Sequence, residues 1–444
     1  MDAEFFYGRR LLDQELTDEF ELPKHVQISA AMEVTNTYVR CTRCNYNSSL
    51  SEVALPKEQY FCPQCITMGR VSTLSKFYYL PEPNLFKANK HPLSWNGQLS
   101  ELQQKCSLEV CRCLQKHERH LLWAVTGAGK TEMLFEAISQ AIQRGERIAL
   151  ASPRVDVCLE LYPRLQQAFA TIDICLLHGR ETKPYQYRQL TICTTHQLLR
   201  FYHAFDNLII DEVDAFPYAE NQQLYFATKQ AVKPTGGCLY LTATPGPKLL
   251  QQVRQKQLGI SYLPLRYHGH LLPEIKIKLT PAWRQQLKQK KLPNSLVLAI
   301  KLRIEKQQPF LLFAPHVADL GLIKASLNKR FPGQKCVTVH AADEQRLEKV
   351  QLMRDHKVLF LVTTSILERG VTFPEIDVLV LGADDAVFSS AALVQISGRA
   401  GRSISRPTGD VIFWIGAYAT SIRLAIKQIK FVNKKGHRLV QCNA

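Results

Sequence analysis

The chain has 444 residues, of which 46% are hydrophobic and 21% charged, with 21 Gly and 22 Pro. That length predicts two or three domains, and the composition excludes a collagen-like or disordered polymer. Lys+Arg exceed Asp+Glu by 56 − 39 = +17, which points to an anionic partner, nucleic acid before a membrane surface. The excess is uneven. Residues 1–40 carry four basic and eight acidic side chains, residues 274–310 nine basic and two acidic, and the last 24 residues six basic and none acidic. No run approaches the ~18–20 apolar residues of a bilayer span. The acidic, aromatic start from Met1 to Phe6 lacks the pattern of a signal peptide. The expectation is a cytoplasmic protein, so its 13 cysteines need a purpose other than disulfides.

In chain order, residues 1–34 read as an acidic N-terminal extension. Residues 35–97 read as a four-cysteine module and its linker, the latter marked by Pro81, Pro83, Pro92 and Gly97. Cys41-x2-Cys44 and Cys62-x2-Cys65 are separated by 17 residues, the spacing of a structural zinc site. Four thiolates close a tetrahedral shell and leave no open position for catalysis. Tyr60 and Phe61 are placed to pack beneath the second knuckle, and Pro63 suits its turn. Most of the other nine cysteines read as buried small hydrophobes, with Cys106, Cys111 and Cys113 on a predicted helix.

Short apolar runs then alternate with helical stretches. They are Leu121–Val125, Arg147–Ala151, Ile172–Leu177, Leu190–Thr194, Leu208–Asp211 and Cys238–Thr242. Such runs, bounded by turn residues, predict a buried parallel sheet. The pattern restarts with Phe310–Ala314, Cys336–His340, Val358–Thr363, Val378–Gly382 and Val411–Ile415. The fold class is therefore α/β: two doubly wound domains in tandem, joined near Leu263–Ile277. The expected boundaries are 98–270 for the first and 271–444 for the second, which ends in a basic tail.

Ala124-Val-Thr126-Gly127-Ala128-Gly129-Lys130-Thr131 follows an apolar strand and precedes a predicted helix, the context of a phosphate-binding loop. The glycines let backbone N–H groups turn inward around phosphates, and the helix N-terminus adds its dipole. Lys130 would meet the β- and γ-phosphates of ATP, and the Thr131 hydroxyl would hold Mg²⁺. Leu208-Ile-Ile-Asp211-Glu212-Val213-Asp214 is an apolar strand ending in carboxylates. Asp211 could bind Mg²⁺ through water, and Glu212 could orient or deprotonate the attacking water. Asp214 could bond across to Thr242-Ala243-Thr244, whose hydroxyls suit coupling. Gln395-Ile-Ser-Gly398-Arg399-Ala-Gly401-Arg402 supplies two arginines that share a face if the segment is helical. Positive charge against the γ-phosphate in the transition state is worth roughly 10³–10⁵ in rate. An arginine arriving from a second domain makes hydrolysis depend on closure.

In this order and spacing the motifs resemble those of superfamily 2 helicases and translocases, which implies RecA-like domains. Leu99–Gln103 resembles the upstream adenine-reading segment, which gives Gln103 its implied role. Ala124–Thr131, Asp211–Asp214 and Thr242–Thr244 are similar to motifs I, II and III. Thr363-Thr364 through Gly370-Val-Thr372 is similar to motif V, and Gln395–Arg402 to motif VI. Ser152-Pro153-Arg154 and Thr194-Thr195-His196-Gln197 resemble the nucleic-acid-contacting motifs of the first domain, and Phe313-Ala314-Pro315 resembles motif IV. With one four-cysteine module ahead of the motor, the chain is most similar to the ComFA family of late competence proteins. That resemblance implies an ATP-dependent single-stranded DNA translocase that helps draw transforming DNA into the cytoplasm. It further implies a ComFC-type phosphoribosyltransferase-like partner and a position near the membrane DNA uptake channel, at the inner face of the membrane. A homo-oligomer is a separate expectation, and the oligomeric state is not read from the sequence. The alternatives are a PriA-like replication-restart helicase and an RNA helicase. PriA should carry a longer N-terminal region and a paired set of zinc cysteines between motor motifs, and residues 373–394 are too short for that insertion.

Overall fold

A computed structural model of the chain describes residues 3–16, 22–179 and 184–442. Parts of the acidic stretch (residues 1–2 and 17–21), the end of the basic tail (443–444) and the side chain of Cys442 lie outside the described residues. The chain forms two compact units: Met1–Trp123 with Lys130–Ser261, and Tyr262–Ala444 with Ala124–Gly129.

The first unit opens with short strands: β1 (Leu11–Leu12), β2 (Gln27–Ala30), β3 (Met32–Val34), β4 (Tyr38–Cys41), β5 (Asn47–Ser49), β6 (Ala54–Leu55), β7 (Gln59–Tyr60) and β8 (Lys76–Tyr79). β8 pairs antiparallel with β1 and β2, β4 with β3 and β5, and β6 with β7. The acidic N-terminal stretch is thus built into the fold rather than trailing from it. Its few apolar residues do the anchoring, and Phe6, Leu11 and Leu12 are buried.

The sheet that follows comprises β9 (Arg119–Ala124), β10 (Ile148–Ser152), β11 (Ile174–Leu177), β12 (Leu190–Thr194), β13 (Phe205–Ile210), β14 (Val232–Thr242) and β15 (Gly259–Leu263). Its order is β11-β12-β10-β13-β14-β9-β15, with parallel pairing from β11 through to β9. Around it are α1 (Glu101–Gln115), α2 (Glu132–Gln143), α3 (Val155–Ala168), α4 (Gln222–Ala231) and α5 (Pro247–Arg254). β10 and β12 are buried along their whole length, as continuous apolar runs in a covered parallel sheet should be.

The N-terminal module and this sheet share one core. Leu12, Val39, Val71, Phe77 and the four module cysteines belong to the same apolar cluster as Ala149, Phe201, Phe205 and Leu208. The proline-rich stretch after β8 is fastened to the same sheet. Glu82 and Arg147 form an ion pair whose side chains are both fully buried. Arg147 Nη1 also donates to the Tyr7 carbonyl at 3.2 Å, and Tyr187 donates to the second Glu82 oxygen. Two residues on, Asn84 donates to Asp206 at 2.9 Å and Lys233 bridges Asp206 and Asn84.

The second unit holds β16 (Ile275–Leu279), β17 (Phe310–Phe313), β18 (Val337–Val339), β19 (Phe360–Thr363), β20 (Asp377–Leu381) and β21 (Val411–Ile415). Its order is β16-β21-β20-β17-β19-β18, parallel throughout. The helices are α6 (Trp283–Lys288), α7 (Asn294–Glu305), α8 (Val317–Arg330), α9 (Arg346–Arg354), α10 (Ser390–Ser397) and α11 (Thr420–Cys442). The fold class is that expected: two parallel-sheet α/β domains of RecA-like type, preceded by a small four-cysteine module. The joining stretch is more structured than its sequence suggested. β15 and β16 lie within or beside it, and β16 reads Ile-Lys-Ile-Lys-Leu, an edge strand whose lysines discourage further pairing.

Candidate nucleotide, nucleic-acid and metal sites

The phosphate loop leaves the end of β9 and runs into α2. Gly127 and Gly129 have φ of +77° and +74°, a region that a side chain disfavours, so the two backbone reversals explain the two glycines. Lys130 and Thr131 immediately precede α2, where N–H groups are unused by the helix. Upstream, Gln103 is buried. Its side-chain carbonyl accepts from the Ser100 N–H at 2.9 Å while Ser100 Oγ accepts from the Gln103 N–H. This capping box fixes the orientation of the Gln103 amide.

Asp211 follows directly on β13. Its Oδ1 accepts from the Glu212 N–H at 2.8 Å, and Glu212 sits at φ +55°, so the chain turns sharply at the pair. Asp214 is tied to the end of the neighbouring β14. Thr242 Oγ1 donates to it at 2.6 Å, Thr244 Oγ1 donates to its other oxygen, and the Thr244 N–H donates to Thr242 Oγ1 at 2.9 Å. The bond expected across these two motifs is present.

Of the residues read as strand contacts, Pro153 and Arg154 lie between β10 and α3. Thr194 ends β12, and Thr195 is fully buried. Thr363 is also fully buried, and its hydroxyl donates to the Val339 carbonyl at 3.0 Å. Thr195 and Thr363 therefore position their loops rather than present hydroxyls at the surface. Thr364 is 8% exposed. Gly370 has φ +68°.

α10 ends at Ser397, with Gly398 as its C-cap. Gln395 is helical, but Arg399 and Arg402 are not, so the helical spacing that would put both on one face does not apply. Gly401 (φ +77°) and Arg402 (φ +71°) shape the turn instead. Arg399 is buried and donates to the Val371 carbonyl, and Arg402 Nε donates to Gly398 O at 2.9 Å. Arg266 has no motif to mark it. This buried guanidinium donates to the Ala400 and Pro407 carbonyls, both at 2.9 Å, and to Gly398 O at 3.2 Å. Burial, and then the charge of Arg402, pushes Arg266 down to about 9.

The four module cysteines converge. All four Sγ atoms lie within 4.8 Å of one another, and all are buried. Cys41 to Cys65 is 3.8 Å and Cys44 to Cys62 is 3.6 Å. Tetrahedral Zn–S bonds of ~2.3 Å place sulfurs ~3.8 Å apart, so the cluster fits zinc. Arg43, fully buried within the first knuckle, directs Nε at Cys65 Sγ (3.5 Å) and Nη2 at Gly69 O (2.5 Å). It offsets the negative charge of a four-thiolate site, a partner that spacing alone does not reveal. Of the remaining cysteines, Cys106, Cys111, Cys238 and Cys336 are pushed up to about 11 and Cys113 and Cys158 to about 12, chiefly by burial. They stay protonated at neutral pH and act as small hydrophobes.

The comparisons with known proteins agree with this geometry. Residues 96–246 match the description "Type III restriction enzyme, res subunit" and residues 288–403 "Helicase conserved C-terminal domain". A solved structure, S. cerevisiae Dbp5 bound to RNA and ADP BeF3, shares the fold at TM-score 0.57 and 14% identity, covering 76% of this chain and 88% of that one. The class is an ATP-hydrolysing helicase of superfamily 2. Residues 2–79 match "Competence protein ComFA N-terminal domain". Competence protein ComFA of Streptococcus pneumoniae strain R6 is 42% identical, covering 97% of this chain and 98% of that protein. Its counterpart in Bacillus subtilis strain 168 is 38% identical over 98% and 95%. The chain belongs to the ComFA family of competence proteins. No helix among the described residues is long and apolar enough to cross a membrane.

Proposed function

We propose that the protein is a single-stranded DNA translocase that spends ATP to move transforming DNA into the cytoplasm. One observation carries this reading: the hydrolytic and coupling groups are wired together in a member of a competence family that its relatives match over nearly all of the chain. Asp211 and Glu212 lie on the same turn as Asp214, which is held by Thr242 and Thr244. Lys130 and Thr131 hold the phosphates and Mg²⁺, with backbone N–H groups of Thr126–Gly129 around them and Gln103 toward the base. Asp211 binds Mg²⁺ through water and Glu212 orients the attacking water. Arg399 and Arg402 supply positive charge as the γ-phosphate departs, and Gln395 and Gly370 belong to the same machinery. Pro153, Arg154, Thr194, Thr195, Thr363 and Thr364 form the loops that hold the strand by its phosphates, without base reading. Zinc closes the Cys41, Cys44, Cys62, Cys65 site and is structural.

The net charge of +17 suits a nonspecific phosphate track. The domain limits that this reading uses are residues 98–270 and 271–444. A ComFC-type partner, a position beside the membrane channel and self-association complete the proposal. ATPase rates measured with single-stranded DNA, duplex DNA and RNA test it. Single-stranded DNA should stimulate most, and affinity should fall steeply with salt. A rate indifferent to DNA, or stimulated only by RNA, would sink it.

A further inference from the structure

A cleft of about 760 Å³ opens on the first unit, where the N-terminal module meets the ends of the motor strands. One wall carries Pro153, Thr194 and His196, from the loops after β10 and β12. The other carries Arg9 and Thr67, from the module. Arg9 is unusual within it. Its side chain is 5% exposed, and its guanidinium lies 4.5 Å from the Phe5 ring centroid and 3.9 Å from that of Tyr185. Among the described residues its guanidinium makes one hydrogen bond, a long 3.4 Å contact from Nη1 to the Phe5 carbonyl, and Nε has no partner. Among the described residues lining the cleft the acidic side chain is Glu15, and it is paired with Arg200.

A buried guanidinium whose neighbouring carboxylate, that of Glu15, is already ion-paired with Arg200 is costly unless a further anion completes it. Burial pushes Arg9 down to about 10, and the nearby charge of Glu15 offsets only part of that. Two planar aromatic faces hold the fork rigid, which favours a tetrahedral oxyanion that can take two parallel N–H bonds. The cleft is much larger than a lone phosphate ion requires. It also runs along the loops already assigned to strand phosphates, so the anion belongs to a polymer.

We propose that this cleft binds a phosphodiester of single-stranded nucleic acid, with Arg9 as the phosphate ligand. The N-terminal module then forms a second wall of the strand track. This rests on the strand-translocation reading above and adds to it a contact made outside the motor motifs. Zinc, by holding the Thr67 rim in place, would act on strand affinity through this wall.

The test uses the full-length, zinc-loaded protein and a fluorescein-labelled oligothymidylate, titrated across a salt series. Arg9→Gln should weaken binding about tenfold, the scale of one charge-assisted hydrogen bond. It should also flatten the slope of log Kd against log salt by ~0.7, the value for one phosphate contact on a single strand. A merely structural Arg9 would leave that slope unchanged. Thr67 is exposed on the rim, so Thr67→Glu places a negative charge at the mouth without disturbing the core and should weaken binding several-fold. Thermal unfolding and zinc content establish that each variant is intact, and if Arg9→Gln does not fold, Thr67→Glu decides alone. Intact variants with wild-type affinity and slope overturn the cleft assignment while leaving the translocase reading standing. A wild-type protein that fails to bind the oligonucleotide overturns both.

Discussion

At the scale of single residues, the proposed chemistry divides into groups that act and groups that hold. Lys130 belongs to the first class on that proposal. Lys130→Ala should abolish ATP turnover while leaving single-strand affinity and thermal unfolding near wild type. A loss of fold would instead make Lys130 a structural residue. Arg147 is in the second class. It is fully buried against Glu82, with Tyr7, Tyr185 and Tyr187 around the pair. Arg147→Met strands the Glu82 carboxylate in the interior and should cost roughly 3–5 kcal/mol of unfolding free energy. The double variant Glu82→Gln with Arg147→Met should recover part of that. If the single and double variants lose the same amount, the pair is not coupled, and this account of the fastening is wrong.

At the scale of elements, the loop after α10, which is proposed to carry the two arginines of hydrolysis, is kept in shape without a helix. Arg266 grips three of its carbonyls, those of residues 398, 400 and 407, and so brackets both arginines. Arg266→Gln should lower kcat by roughly 10–100-fold through misplacement of those groups, with KM for ATP little changed. Arg266→Lys should not rescue it, because one ammonium cannot span the three acceptors. An unaltered kcat in a folded variant would remove Arg266 from this role. The same region shows what a sequence conveys. Gln395 through Arg402 was legible as a motif because its residue types are set by chemistry. Its conformation was not, because the helix ends at Ser397, with Gly398 as its cap, before either arginine, and Gly401 then turns the chain with a positive φ. Strands such as Leu190–Thr194 were legible because a covered parallel strand is apolar at every position. β16 was not, because alternating lysines disguised an edge strand as a basic cluster, and β1 was hidden by being only two residues long. Arg43, Arg147 and Arg266 owe their roles to partners distant in the chain, and no local pattern announces such a residue.

At the scale of the whole molecule, several imidazoles are held neutral by the fold. Burial lowers His120, His196 and His203, and it pushes His268 down to about 4 with help from Arg266. A histidine whose folded pKa lies below its unfolded one contributes stability that is present above the unfolded value, near 6.5, and lost as pH falls. Thermal unfolding temperature should therefore drop between pH 7 and pH 5, before the carboxylates titrate. A flat profile across that window would contradict the burial seen at these sites.

The shared core of the N-terminal module has a consequence for how the chain is made. Arg10 N–H donates to the carbonyl of Arg200 at 2.9 Å, and Tyr202 N–H donates to Gly8 O at 2.8 Å, so contacts that finish the module wait for residues nearly two hundred positions later. A ribosome emits the cysteine knuckles long before it emits their apolar floor at Phe201 and Leu208. Metal capture by the nascent knuckles and closure of the module are thus separated in time. A fragment ending before β12 would carry all four thiolates with their sheltering surface still missing.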